Sequence, residues 1–340
     1  MKKKEFQDRL EPFSNNVDRY VVGGTLKKSA MIVDDDTLSF YKRKESLPNS
    51  KKTVRDSTFF KPLFKSLKTG KSSYVAYLSD LVKNDKYIPK YVYCFVKDIR
   101  ENCGDSVVYG EVVAPRLADA MGISSVYNSI VEIESQDEYD EMTDFTNILS
   151  VDFISHGQTF MDLSELNLDF DADMSLESCL LKITRALRRL ANSGKINLTD
   201  ENLNRFKEGF VKQYLFRNIL CEDLDFSAKN CGILINEDGS FEISPMFDYE
   251  YMFYGQRVSN VYELECNAAI IYCNKHYPHI LESFMKRLQQ IKENGTLEDI
   301  MSNTIKVKAY TQTKARKLLN RNSKKMIESY QNIVPQKDSM

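Results

Sequence analysis

The residues of this sequence best suited to chemistry are Asp225, Asn230 and Asp248, all inside the stretch from Tyr214 to Tyr251. Asp225 and Asn230 stand five positions apart, and Asp248 follows after two short β-prone runs, 231–236 and 241–244. Between the runs, Glu237-Asp238-Gly239-Ser240 carries the Asp-Gly signal of a tight hairpin. Asn230 lies eight residues before Asp238 and Phe247 eight after Gly239, so a hairpin folded there returns Asp248 to the neighbourhood of Asn230. Two carboxylates and an amide around one point suit a hard divalent cation, which takes oxygen ligands and is commonly shared between a few protein groups and the phosphates of a nucleotide. A further Asp can orient and deprotonate an acceptor hydroxyl. In phosphoryl transfer, Asp225 would then be the base, and Asn230 and Asp248 the metal ligands. Taken singly, each of these residues is more simply a turn former, because Asp and Asn cap loops. Their joint spacing across a hairpin is what points to a site.

Such a site needs rigid elements on either side. Leu203, Phe206, Phe210 and Tyr214 recur at spacings of three and four, which predicts a helix with one buried face leading into the loop. Leu176, Leu180, Ile183, Leu187 and Leu190 form a second apolar stripe, with Ser175 as N-cap and Gly194 as stop, and this is core rather than a binding surface. Beyond the hairpin, residues 261–272 and 280–291 read as amphipathic helices, and 306–325 as a basic one. The N-terminal half is β-prone. Tyr20-Val-Val-Gly23-Gly24-Thr25-Leu-Lys-Lys28 places two glycines after a strand-like run, where free backbone N–H groups can cradle phosphate oxygens. Residues 29–33 continue as a strand, Asp34 to Asp36 turn it, and 37–42 run back, which returns Lys42 toward Lys28 and the glycines. Residues 110–123 read as a short helix closed by Gly122, followed by a strand at 129–133, an acidic loop or exposed helix over 134–144, and a further strand at 148–154.

The Asp225-Phe-Ser-Ala-Lys229-Asn230 and Pro245-Met-Phe-Asp248 segments resemble the catalytic and metal-binding motifs of the HipA-like serine/threonine kinases, including their short, CtkA-type members. The resemblance implies a two-lobed protein-kinase-like α+β fold, with a β-rich N-lobe over 1–155 and a mainly helical C-lobe over 156–340 that carries the catalytic hairpin. It implies ATP and Mg²⁺ as cofactors, with Asp225 as catalytic base, Asn230 and Asp248 as metal ligands, and Lys229 as a basic residue beside the transferred phosphate. Gly23, Gly24, Thr25 and Lys28 resemble the family's nucleotide loop, and Lys42 the lysine that pairs the ATP phosphates. Glu111, on a helix that resembles the N-lobe helix of the family, becomes the partner of Lys42. The adenine hinge would fall at 151–155. Autophosphorylation at Thr25 or Ser29, an unidentified protein substrate and a cognate antitoxin or regulator are further implications. The chain starts close to the nucleotide loop, so the extra N-terminal subdomain of longer toxins is expected to be missing, which weakens the transfer of an antitoxin partnership. Two positions depart from the pattern. Ser227 stands where the family usually has His, and Asp223 where Asn is common, which puts loop orientation and rate in question. A nucleotide-binding pseudokinase acting as a regulatory module, and a kinase of a non-protein acceptor, stay open as alternatives.

Composition bounds the rest. With 340 residues, 42% hydrophobic and 28% charged, the chain can bury an ordinary core in two lobes. A net charge of −2 gives no global pull toward nucleic acid. Seven cysteines without a Cys-x-x-Cys pair support neither a zinc ribbon nor a redox motif. No stretch has the look of a signal peptide or a membrane span, so a cytoplasmic protein is expected, with export by another route left open. The segment 45–71 is basic and interleaved with Phe59, Phe60 and Phe64, and reads as a solvated face over core aromatics more readily than as a nucleic-acid groove. His276-Tyr-Pro-His279 is a poor metal site because Pro278 breaks helical presentation.

Overall fold

The computed structural model describes residues 28–34, 52–54, 61–62, 91–98, 105–126, 128–136, 142–151, 158–255, 257–303 and 309–334. The chain divides into two units, Met1–Gly104 with Val126–Met161, and Asp105–Ser125 with Asp162–Met340.

The first unit is built on a six-stranded sheet. Its strands are β1 (Lys28–Asp34), β2 (Lys52–Val54), β3 (Lys61–Pro62), β4 (Tyr91–Asp98), β5 (Asn128–Gln136) and β6 (Met142–Val151), in the order β2-β5-β6-β4-β1-β3. Runs such as Tyr91-Val-Tyr-Cys-Phe-Val96 favour the pleated backbone because β-branched and aromatic side chains pack well on it. β1 and β4 pair antiparallel from Lys28↔Lys97 to Asp34↔Tyr91. The hairpin of β5 and β6 differs from the acidic loop expected over 134–144. Its antiparallel ladder runs from Asn128↔Ser150 through Glu134↔Asp144 to Gln136↔Met142, so the backbone pairing takes in acidic residues from both ends of that segment. The expected return strand 37–42 and the hinge residues 152–155 lie outside the described residues, as does most of the basic segment.

The second unit is mainly helical. Helix α1 (Asp105–Ala120) is buried through Val112, Val113, Ala114, Leu117 and Ala118. Tyr109 anchors it by donating to the carbonyl of Met301 at 2.6 Å. Its end is a Schellman closure: Ile123 N–H donates to Ala118 O, Gly122 N–H donates to Asp119 O, and Gly122 takes φ 69°. Helix α2 (Leu176–Asn192) is capped by Ser175, whose hydroxyl accepts from Ser178 N–H, and its apolar stripe is buried. Helix α3 (Asp200–Tyr214) runs without a break into a π-helical turn, Leu215–Leu220. The short strand β7 (Thr159–Asp162) lies at the boundary of the units, and within the second unit β8 (Gly232–Ile235) and β9 (Phe241–Ile243) pair as a hairpin. The unit is completed by α4 (Ser259–His276), α5 (Pro278–Glu293), α6 (Thr296–Asn303) and α7 (Ala309–Ile333). Pro278 occupies the first turn of α5, and His279 faces the Glu208 carboxylate at 3.2 Å in an exposed pair.

Two glycines mark close approaches. A Cβ at Gly110 in α1 would stand 2.4 Å from the backbone oxygen of Tyr249, whereas one at Gly209 in α3 would stand 2.3 Å from Cγ2 of the Ile243 side chain. Alanine gains about 1 kcal/mol of helix propensity at either position, but only the side chain can turn aside. Gly110→Ala is expected to lose about 1–3 kcal/mol in urea unfolding through overpacking, and Gly209→Ala clearly less.

Candidate active site

The site is assembled around a side chain that sequence reasoning passed over. Arg217 sits in the π-helical turn with 0% of its surface exposed. A π-turn admits one more residue than an α-turn and re-aims the side chains that follow it, and such turns are frequent at functional sites. The Arg217 guanidinium bonds to the Asp223 carboxylate at 2.6 Å. Its Nη1 donates to the carbonyls of Asn230 at 2.7 Å and Phe247 at 3.2 Å, and its Nη2 donates to the carbonyl of Asp248 at 3.0 Å. One rigid fork therefore ties the loop before the hairpin to the loop after it.

The loop before the hairpin is fixed from both sides. Asp223 accepts at its other oxygen from the backbone N–H of Asp225 at 3.1 Å. Phe226 is fully buried among Phe170, Phe210 and Tyr214. Ala228–Asn230 make a short 3₁₀ turn, with Ala228 N–H donating to Phe170 O. Asn230 directs its amide nitrogen to both the carboxylate of Asp225, at 2.7 Å, and its carbonyl, at 2.9 Å. The Oδ1 of Asn230 takes no part in that contact. Ser227 has extended backbone, and its side chain does not cap the 3₁₀ turn. The loop is held at Asp223 and Arg217.

The hairpin itself follows the Asp-Gly signal. β8 and β9 pair as Ile233↔Ile243, Leu234↔Glu242 and Ile235↔Phe241. Asn236 N–H donates to Ser240 O, Gly239 N–H donates to Asn236 O, and Gly239 takes φ +77°. This is a type I turn closed by a left-handed glycine, one of the common short hairpin connections. After β9, Ser244 O accepts from Gln213 at 2.6 Å, and Met246 N–H donates to Ser124 O at 3.0 Å. Asp248 takes φ 61°, a left-handed conformation that Asp tolerates better than most residues.

Beyond Asp248 the chain meets α1. Tyr249 N–H donates to the Glu111 carboxylate at 3.3 Å, and the Tyr249 hydroxyl donates to Met246 O. One carboxylate oxygen from each of Glu111, Asp248 and Glu250 lies within 4.8 Å of the others, with Glu111 and Glu250 buried. Carboxylate oxygens at this spacing can share one hard cation. Burial raises the Asp225 carboxyl above the usual carboxylate range; the Asn230 hydrogen bond works against this, and the Asp248 charge adds to it.

The structure therefore brings Asp225, Asn230, Asp248 and Glu111 into one neighbourhood within the second unit, with Lys229 exposed beside Asp225. Lys28 opens β1 in the first unit. Gly23, Gly24, Thr25 and Lys42 lie outside the described residues. Arg217 and Glu250 are the additions. The signal for Arg217 was a single cation inside the apolar run Tyr214-Leu-Phe-Arg-Asn-Ile-Leu220, a position where a charge must have a buried partner.

Removing Arg217 leaves the buried Asp223 carboxylate without its counter-charge and takes a donor from the carbonyls of Asn230, Phe247 and Asp248. Arg217→Met is expected to destabilise the protein by about 3–5 kcal/mol in urea unfolding. An isolated ion pair can be replaced by apolar residues at little cost, but Arg217→Met with Asp223→Leu is expected to stay destabilised, because the carbonyls of Asn230, Phe247 and Asp248 still lose the guanidinium as donor. A carboxyl-carbon NMR titration of the metal-free protein is expected to place the Asp225 midpoint above that of an exposed Asp. Asp248→Asn removes a neighbouring negative charge and should lower that midpoint; no change would show that the two side chains do not feel each other.

No family model matches the chain, and no curated protein matches it. Among solved structures the chain is similar to the proinflammatory kinase CtkA of Helicobacter pylori, with 14% identity and a TM-score of 0.46, covering 72% of this chain and 91% of that one. It is also similar to HipA in the toxin–antitoxin complex of Shewanella oneidensis MR-1 with HipB and operator DNA, with 12% identity and a TM-score of 0.47, covering 72% of this chain and 64% of that one. Both likenesses are coarse, and the site described above stands on its own geometry.

Proposed function

We propose that this chain is a phosphotransferase of the HipA-like kinase type, using ATP and Mg²⁺ to phosphorylate a serine or threonine hydroxyl of a protein. The observation that carries this reading is the meeting of Asp225, Asn230 and Asp248 around one buried guanidinium, with the Asp225 carboxylate in the grip of the Asn230 amide. Asp225 is the base. It orients the acceptor hydroxyl and takes its proton as the new O–P bond forms and the bond to the β-phosphate oxygen breaks, releasing ADP. Asn230 keeps the Asp225 carboxylate aimed, and Lys229 lies on the exposed side of the loop, where it can meet phosphate oxygens.

The donor set fits a hard divalent cation, because all the candidate ligands are oxygens and one carboxylate oxygen from each of Glu111, Asp248 and Glu250 lies within 4.8 Å of the others. Asn230 and Asp248 would hold it, with Glu111 and Glu250 next in reach. Bound there, Mg²⁺ neutralises charge on the transferred phosphoryl group. Gly23, Gly24, Thr25 and Lys28 are assigned to the nucleotide loop, and Lys42 to the phosphates opposite Glu111, on the sequence resemblance alone.

Mass spectrometry after incubation with ATP and Mg²⁺ is expected to find phosphate on Thr25, Ser29 or another hydroxyl of the parent, and none on Asp225→Asn. Equal phosphorylation of the variant removes Asp225 from its role. Nucleotide binding by the parent without any transfer would favour the pseudokinase reading. Asp248→Asn is expected to abolish the Mg²⁺-dependent part of nucleotide binding, read by calorimetry with and without the metal.

A further inference from the structure

Helix α4 is apolar on two opposite faces. Tyr262, Cys266, Ile270 and Cys273 are buried, and the helix packs against α7, α5, the π-helical turn and α2. On the far side stand Val261, Leu264, Ala268 and Ile271, all exposed, at spacings of three, four and three, and Val258 extends the stripe at the N-cap. Val258, Val261, Leu264 and Ile271 keep between 44% and 71% of their surface in water. Leu181, on the neighbouring α2, is half exposed as well. A helix at the surface of a globular unit shows water a polar face, whereas one that is apolar all round is buried in something larger.

We infer that this stripe is a two-fold contact with a second copy of the chain, α4 against α4 in antiparallel sense. Its size suits that role. A stable dimer hides roughly 800 Å² per partner, with an apolar core inside a polar rim, and the stripe offers several hundred Å² of contiguous aliphatic surface for the core. The stripe is also nearly symmetric about its centre. An antiparallel copy that sets Leu264 against its own equivalent brings Val261 to Ala268 and Val258 to Ile271, so every apolar residue meets an apolar one, and the small Ala268 lets the axes come close.

The rim fits a copy for a separate reason. Asn260, Asn267 and Asn274 follow one flank of the stripe at seven-residue intervals. A two-fold axis lays that flank against the same flank of the copy, where lysines or glutamates would repel their own kind. An amide both donates and accepts, so it can face another amide. Glu263, beyond the amides, pairs with Lys325 of α7 at 3.2 Å. A membrane surface fits less well, because interfacial helices carry Lys and Arg along their polar side. The contact also reaches the supports of the candidate active site. Arg257, directly before the stripe, donates to the carbonyl of Asn218 inside the π-helical turn and pairs with Glu265 of α4. The association does not depend on the phosphotransferase reading and is measured without nucleotide.

The test is sedimentation equilibrium of the full chain across a wide range of concentrations. The parent should form a dimer, and Leu264→Glu/Ile271→Glu should associate at least tenfold more weakly. Leu264→Gln, which changes polarity without adding charge, should weaken association in the same direction. Leu264→Cys treated with a short bis-maleimide should give a linked dimer in which peptide mass spectrometry finds position 264 of one chain joined to position 264 of the other. Far-UV circular dichroism and thermal unfolding establish that the variants are folded. The inference is overturned if the parent is monomeric at the highest concentration, if its dimer survives the double substitution unchanged, or if position 264 does not link to itself. It is equally overturned if the parent stays monomeric but binds phosphatidylcholine–phosphatidylserine vesicles through the same residues.

Discussion

The second unit depends on keeping a charged guanidinium dry. Arg217 has lost all contact with water, and burial of that kind is tolerated only when a carboxylate and further acceptors take over its hydration. Asp223 supplies the charge, while Asn230, Phe247 and Asp248 supply carbonyls from both sides of the β8–β9 hairpin. The hairpin alone has few ladder bonds and would be marginal in water. It is fixed because its two ends converge on the same fork, so the need to satisfy one buried cation becomes the geometry of the site.

A second polar node performs a similar task nearby. Glu222, in a left-handed conformation and buried, accepts from Asn322 at 3.0 Å and pairs with Arg321, which brings α7 against the end of the π-helical turn. Arg257 donates to the carbonyls of Asn218 and Ala172, both at 2.7 Å, and pairs with Glu265. Three successive acidic positions are thus divided in use. Glu222 faces the helices, Asp223 faces Arg217, and Asp225 faces Asn230 and the surface. Proximity in sequence says nothing of this division, which arises from the tight turn that reverses the chain direction between them.

The sequence carried much of the local structure. The Asp-Gly turn, the Ser175 cap, the Gly122 and Gly194 stops and the apolar stripes of α2 and α3 were legible because each is decided by neighbours within a few residues. Convergence of Asp225, Asn230 and Asp248 was legible for the same reason, since it follows from counting along a hairpin. Arg217 and Glu250 were not, because their roles rest on contacts across loops that no periodicity records. The two ends of the acidic stretch, 134–136 and 142–144, are strand where a loop or exposed helix was expected. Composition favours solvent, but the ladder that begins at Asn128↔Ser150 continues through these residues, and pairing across strands leaves no mark on local composition.

The π-helical turn has a consequence for how this region can change. Most single replacements along Leu215–Leu220 alter packing or polarity one residue at a time. Deleting one residue there is a different kind of event. The segment could relax to ordinary α-helix, whose tighter winding makes up for the lost residue, so side chains beyond the cut would keep roughly their facing while those inside the turn would be re-aimed. Arg217 or its partners would then face the wrong way. Chain length in this turn is therefore constrained together with the identity of Arg217, because both decide where that one guanidinium points.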